Sequence, residues 1–317
     1  MLAGLLLVAL GAVAEPTVIN RWGHSFYFPA SAPADGRIPL VVYLHGCQQF
    51  RWHSEKVTQL HAWAEKLHFA VLMPEQSRLR NPWKCWNWFL GDDSLEMNEI
   101  ISLVKRYQEA FPLLKTQTHV MGLSAGGVMT AHLLACRGDV FQSGAVFAGA
   151  AFRMVALPRS PLDDVWSGAS FRTRGELAEQ AFDCMKHQPL AHPVGVLVVH
   201  GGTDRISRPR NGEQVAAQFA GANHLMTAGR PGFAQALLPV DEQRFTGAHR
   251  TYTRTRYATA GDARVELIRI EGLGHAWSGG PSWIPFSDDE GPDGTRLALE
   301  FFGLAPQGTD VATVPAP

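Results

Sequence analysis

Ser124, Asp204 and His275 are the residues whose types and order could carry out acyl transfer. A serine hydroxyl is a weak nucleophile until a base takes its proton, and the base needs an acid to orient and support it. Ser124 stands in Gly122-Leu123-Ser124-Ala125-Gly126, a G-x-S-x-G turn between a β-prone run at 118–121 and helix-compatible residues out to Ala135. That strand–turn–helix setting is the one a nucleophile elbow requires. Gly122 and Gly126 leave room for neighbouring segments to approach, and Ser124 lies at the mouth of a helix whose N-terminal amides favour negative charge. By itself the pattern also arises by chance in Gly- and Ser-rich loops, so its meaning depends on partners elsewhere in the chain.

Those partners follow in order. Asp204 sits four residues beyond an apolar strand ending at His200, and His275 lies between Gly274 and Ala276, just past a strand at 265–270. Serine, acid and base in this sequence, each after a strand, is the order of the α/β-hydrolases. His45 and His200 also follow strands, but each precedes a glycine, where an oxyanion-loop or supporting role is more natural. The remaining histidines lie on helices or loops without a matching acid. Cys47 is a rival nucleophile; a complete serine constellation elsewhere, and the tendency of exported cysteines to be bridged, argue against it. The tetrahedral intermediate needs backbone N–H donors. Ala125 supplies one from the elbow, and the loop His45-Gly46-Cys47-Gln48 supplies the second through the amide of Cys47.

The positioning elements alternate. Continuous apolar runs at 40–44 and 70–73 read as strands buried on both faces of a mainly parallel sheet, and 143–148, 194–199 and 265–270 read likewise. Between them, 57–67, 94–111, the stretch after Ser124 and 212–220 carry helical spacing, and 295–302 closes the fold. This rhythm predicts a doubly wound, mainly parallel α/β fold with helices on both faces. Residues 21–29 read as an edge strand and 81–89 as a Trp-rich loop. Residues 153–186 and 221–251 read as irregular insertions over the active face.

With 317 residues, 46% of them hydrophobic, the chain can bury a substantial single core. A net charge of −1 gives no reason to expect nucleic acid or an anionic membrane surface as partner. Residues 1–14 are almost wholly apolar and end in Ala12-Val13-Ala14, too short for a membrane span and of the form of a signal peptide, though without a basic n-region. The expected organisation is a signal at 1–14, one catalytic domain at 15–304 and a flexible Pro/Thr-rich tail at 305–317. The product would be secreted, extracellular or periplasmic, with no stable membrane insertion once the signal is removed. Four cysteines, Cys47, Cys85, Cys136 and Cys184, suit disulfides in such a compartment and allow three pairings. No cysteine or histidine spacing suggests a metal site, and the acyl-enzyme route needs no cofactor.

Taken together, Leu44-His45-Gly46-Cys47, Cys85-Trp86-Asn87-Trp88-Phe89, the run 122–130, Gly274-His275-Ala276-Trp277-Ser278-Gly279-Gly280 and the late Gly291-Pro292-Asp293 resemble the secreted polyhydroxybutyrate-depolymerase-like esterases. These belong to the α/β-hydrolase superfamily and are related to feruloyl and acetylxylan esterases. The resemblance covers about 40–302. It implies Ser124 as nucleophile, His275 as base, Asp204 as acid, and an ester substrate of hydroxyalkanoate type. It also suggests a Cys47–Cys85 bridge; Cys136 and Cys184 then pair by elimination or stay free. Trp86, Trp88, Trp277 and Trp283 are candidates for lining the substrate pocket, with ordinary core packing as the competing role of each. The chain departs from depolymerases of solid polymer in lacking a linker and a separate substrate-binding module after 302, which favours soluble oligomers. The segments after Gly149 and Gly221 also differ. Feruloyl or acetylxylan esterase activity is the alternative within the enzyme class, and a non-catalytic binding protein of this fold the alternative outside it.

Overall fold

The computed structural model describes residues 15–92, 94–154, 172–189, 191–247, 249–258, 263–308 and 313–314. The expected signal at 1–14 lies outside the described residues. In chain order the strands that matter first are β1 (Thr17–Arg21), β2 (His24–Phe28), β3 (Ile38–Leu44), β4 (Ala70–Pro74), β5 (Leu113–Leu123), β6 (Ser143–Phe147), β7 (Gly195–Gly201), β8 (Pro239–Thr246), β9 (Thr251–Tyr257) and β10 (Val265–Ile270). The helices are α1 (Arg51–Thr58), α2 (Leu60–Leu67), α3 (Leu95–Ala110), α4 (Ala125–Cys136), α5 (Arg174–Met185), α6 (Pro209–Ala228), α7 (Phe233–Ala236) and α8 (Gly294–Phe301). Two-residue strands β11 (Trp277–Ser278) and β12 (Ser287–Asp288) pair with each other apart from the main sheet.

The main sheet runs β1-β2-β4-β3-β5-β6-β7-β10-β9-β8 and ends on β13 (Thr313–Val314). Strands β4, β3, β5, β6, β7 and β10 are parallel, while β1, β2, β9 and β8 flank them antiparallel. The buried parallel strands split the core by the period of two of a pleated strand. Leu40, Val42 and Leu44 pack on the face covered by Ile100, Val104, Val128 and Leu133. Val41 and Tyr43 point to the other face, with Leu60, Ala64, Trp277 and Leu299. Helices on both faces of a mainly parallel sheet make this an α/β-hydrolase fold, as the alternating pattern predicts.

Several elements differ from the sequence reading. The single edge strand expected at 21–29 is a hairpin, β1 and β2, turned at Trp22 and Gly23, with Gly23 at φ +83°. The helix expected at 57–67 is two, because Gln59 takes a left-handed conformation at φ +52° and ends α1. Gly221, read as a helix end, lies inside α6; a β-carbon there would come within 2.7 Å of Ala178 Cβ, so glycine permits helix contact rather than breaking the helix. The irregular segment at 221–251 holds most of a hairpin, β8 with β9. Its strands lie toward one end of the sheet and carry polar cross-strand pairs such as Arg256–Asp241 and Thr255–Glu242, so no apolar run marks them. Part of the tail expected to be flexible is held instead: Thr313 and Val314 pair antiparallel with β8, and Gly308 N–H donates to Glu300 Oε1.

Candidate active site

Strand β5 delivers Ser124 into a backbone conformation that few residues adopt, φ +56° and ψ −119°. Its N–H donates to Phe147 O of β6 at 2.9 Å, which anchors the turn on the neighbouring strand. The surrounding glycines are required by space. A β-carbon on Gly126 would lie 2.1 Å from Leu44 O, and one on Gly122 2.5 Å from the carbonyl of Gly126. Backbone strain held by such packing is expected where a side chain must be presented for chemistry.

Asp204 follows β7 and is buried. Its Oδ1 accepts from the N–H groups of Ile206 and Ser207, both at 2.8 Å, which leaves Oδ2 facing His275 Nδ1 at 2.7 Å. Gly201 lets the two loops meet, since a β-carbon there would lie 2.3 Å from Gly274 O; Thr203 adds two hydrogen bonds to Leu273 O. On its other side His275 Nε2 lies 2.9 Å from Ser124 Oγ. A carboxylate at Nδ1 keeps the proton on that nitrogen, so the bare Nε2 faces the serine hydroxyl. The structure thus brings together the three side chains that the sequence placed 151 and 71 residues apart. His200 stands behind them: its Nε2–H donates to Ser207 O at 2.8 Å, and burial holds its pKa below the usual range.

Beyond β3, the loop 45–49 packs on the elbow, with Gly46 so placed that a β-carbon would lie 3.4 Å from both Leu123 O and Ser124 Cβ. The amides flanking Cys47 are spent: Gly46 N–H donates to Gln49 Oε1 and Gln48 N–H to Trp83 O, each at 2.8 Å. His45 Nδ1 lies 2.7 Å from Gly46 O, which also accepts from Gln49 N–H at 3.3 Å. Because a peptide's oxygen and the following N–H point to opposite sides, these bonds turn the Cys47 N–H away from the His45 ring. Ala125, the first residue of α4, offers its amide beside Ser124.

Above these groups opens a cavity of about 480 Å³, walled by Trp83, Trp86, Trp88, Phe89 and Phe286, with Ser124 and His275 at its floor. Trp86 Nε1–H donates to His45 O at 2.9 Å, which fixes that wall to the loop 45–49. Two of the four tryptophans expected at the pocket are elsewhere. Trp277 is fully buried between Phe147, on which it stacks at 3.8 Å, and Tyr43, because the turn after His275 directs it into the core. Trp283 is 71% exposed and outside the cavity lining. Trp83 and Phe89 lie within the Trp-rich loop 81–89 but were not among the expected pocket residues; Phe286, edge-on to His275 at 5.9 Å, carried no sequence signal.

Cys47 is bridged to Cys85 and Cys136 to Cys184. The first bridge ties the loop bearing the Cys47 amide to the Trp-rich wall; the second ties the end of α4 to α5. Among the described residues the one grouping of acidic, histidine or cysteine side chains close enough for a metal ion is Asp92 with Cys136 and Cys184, whose sulfurs are spent in the bridge. No described helix is long and apolar enough to cross a membrane.

A family model described as esterase PHB depolymerase matches residues 22–244. The chain belongs to that family. Within reach of this esterase family stands the poly(3-hydroxyalkanoate) depolymerase C of Paucimonas lemoignei, 28% identical over 228 residues, 68% of this chain and 53% of the relative. The chain therefore spans about half the length of that depolymerase. Feruloyl esterase B of Thermothelomyces thermophilus is 28% identical over 213 residues, 63% of this chain and 71% of the relative. The acetyl xylan esterase from Aspergillus awamori shares the fold, with a TM-score of 0.66 and 16% identity over 92% of this chain and 100% of that one.

Proposed function

We propose that this protein is a serine carboxylic-ester hydrolase working through an acyl-Ser124 intermediate. The observation that carries the reading is the unbroken line from Asp204 Oδ2 through His275 to Ser124 Oγ, at 2.7 and 2.9 Å, on the floor of an aromatic cavity. Ser124 Oγ attacks the ester carbonyl carbon while its proton passes to His275 Nε2. The oxygen that gains the carbonyl's electron pair is met by the amides of Ala125 and Cys47, each worth about 3 kcal/mol in the transition state. Collapse expels the alcohol, which takes the proton from His275. Water then repeats the sequence on the acyl-enzyme and frees the acid. Asp204 keeps the imidazole in the right tautomer and supports its charge without becoming protonated.

The substrate proposed is an ester or short oligomer of hydroxyalkanoate type, on the strength of the family and of the depolymerase relative. A second reading is favoured by the five aromatic rings of the cavity wall, which suit a flat aromatic acyl group such as that of a feruloyl ester. Export to an oxidising compartment, after removal of residues 1–14, is proposed from the two disulfides. The domain division proposed is 15–304 as the catalytic unit, with 305–317 as a tail. Turnover of hydroxybutyrate oligomers, methyl ferulate and acetylated xylan, measured side by side for wild type and Ser124→Ala, tests the reading. Turnover of none of them by wild type, together with no labelling by a fluorophosphonate, would leave the protein as a non-catalytic binder.

A further inference from the structure

Glu96 is buried at the first turn of α3, where helix amides favour a carboxylate, and it lies outside the cavity lining. Three N–H donors converge on its two oxygens. Asn87 N–H donates to Oε2 at 2.7 Å, and Asn87 Nδ2 and Gln76 Nε2 both donate to Oε1. Asn87 sits between Trp86 and Trp88, two of the cavity's walls. Gln76 begins a second line. Its backbone N–H donates to His45 Nε2 at 2.9 Å, and its side chain also donates to Cys85 O at 3.1 Å.

An amide can only donate, so the bond from Gln76 fixes Nε2 of His45 as the unprotonated nitrogen and puts the ring proton on Nδ1. From there it is donated to Gly46 O, the oxygen of the peptide that carries the Cys47 N–H. All the side chains in this line, Glu96, Gln76 and His45, are at most 4% exposed, so water does not substitute readily for a lost bond.

The geometry points to Glu96 as a positioning residue that sets the oxyanion donor of Cys47, through Gln76 and His45, and the aromatic wall, through Asn87. The inference rests on the esterase reading of the same site. Glutamine at 96 would turn an NH2 group toward at least one of the three donors and offer the others a neutral oxygen, a weaker acceptor than a carboxylate, so the two lines would loosen together. A donor that is misdirected by a fraction of an ångström weakens the transition state more than the bound substrate.

The test compares wild type with Glu96→Gln. Ring ¹⁵N shifts of His45 report its tautomer without any need for turnover: the Nδ1–H form is expected in wild type, and a tautomer mixture with faster Nδ1–H exchange in the variant. In steady-state kinetics kcat on a small ester such as ethyl acetate should fall about tenfold or more with little change in KM. On methyl ferulate KM should rise as well, because the wall is released. A folded variant with wild-type His45 shifts and kcat within about twofold of wild type overturns the assignment and leaves the esterase reading intact. No turnover by wild type would sink that reading, and the His45 shifts would still decide the role of Glu96. If Glu96→Gln fails to fold by circular dichroism, Gln76→Met, which keeps the backbone N–H to His45 but removes the side chain's bonds to Glu96 and to Cys85 O, is measured in the same way; unchanged His45 shifts and kcat there overturn the proposal.

Discussion

Gly126 and Leu44 approach so closely that a β-carbon on the glycine would sit 2.1 Å from the Leu44 carbonyl oxygen. The obstacle is backbone at the end of the central strand β3, which cannot swing aside as a side chain could. Gly126→Ala should therefore push α4 away from the loop 45–49 and separate the Ala125 and Cys47 amides. The expected loss is about 3 kcal/mol of stability, with esterase activity falling further than the folded fraction. Denaturant melts paired with active-site titration measure both; a variant of wild-type stability and rate would contradict the packing.

Asp204→Asn keeps the side chain's shape but offers His275 an amide that can turn its NH2 toward Nδ1. The wrong tautomer would then face Ser124. The rate should drop by about 10³ to 10⁴, with KM little changed and the fold intact. A drop of less than about tenfold would mean that another group orients His275.

The two disulfides should separate in their effects. Cys136→Ser with Cys184→Ser opens a bridge across 48 residues of sequence and should cost up to about 4 kcal/mol of stability, read by urea melts. Cys85→Ser frees the side chain of Cys47 and should lower kcat by about tenfold at temperatures where the protein stays folded. Equal kcat in Cys85→Ser and wild type would show that the hydrogen bonds at 45–49 suffice without the bridge.

Trp83 stands at the cavity's rim, 66% exposed, with its carbonyl rather than its ring holding Gln48. Trp83→Ala should raise KM for esters of aromatic acids by about threefold to tenfold, the contribution expected of one aromatic contact. Unaltered KM across acyl chains of increasing length would remove this ring from the substrate's path.

Acid should destabilise the protein before its carboxylates titrate fully. Burial lowers the pKa values of His45, His119 and His132 to about 4, from 6.5. Between those values the unfolded chain binds protons that the folded chain refuses, so stability falls as pH drops from about 6.5 to about 4 and this contribution levels off below. His132→Phe deletes one of these groups and should flatten the slope by up to about 1.4 kcal/mol per pH unit, as read from unfolding curves across that range. An unchanged slope would mean that His132 titrates normally.

Legibility in the sequence followed local cause. The parallel strands announced themselves because burial on both faces demands apolar runs such as 40–44, and the elbow because its glycines recur at fixed spacing. The hairpin β8–β9 was hidden, since charged residues such as Arg256 and Asp241, paired across its strands, interrupt any apolar pattern along them. Gly221 misled for a related reason: glycine looks the same in sequence whether it ends a helix or admits a neighbouring one.

By itself the sequence carried the order of Ser124, Asp204 and His275 after their strands, the proposal of Cys47 and Ala125 as amide donors, and a family resemblance that the family match upholds. Tertiary structure decided which aromatics line the cavity. Trp86 and Trp88 line the cavity, Trp277 is turned into the core and Trp283 to solvent, and Phe286 arrives from a distant turn. It also decided what stands behind the site, where Glu96 and Gln76 reach His45. Order along a chain survives in sequence, whereas the direction of a side chain depends on the packing of segments far apart in it.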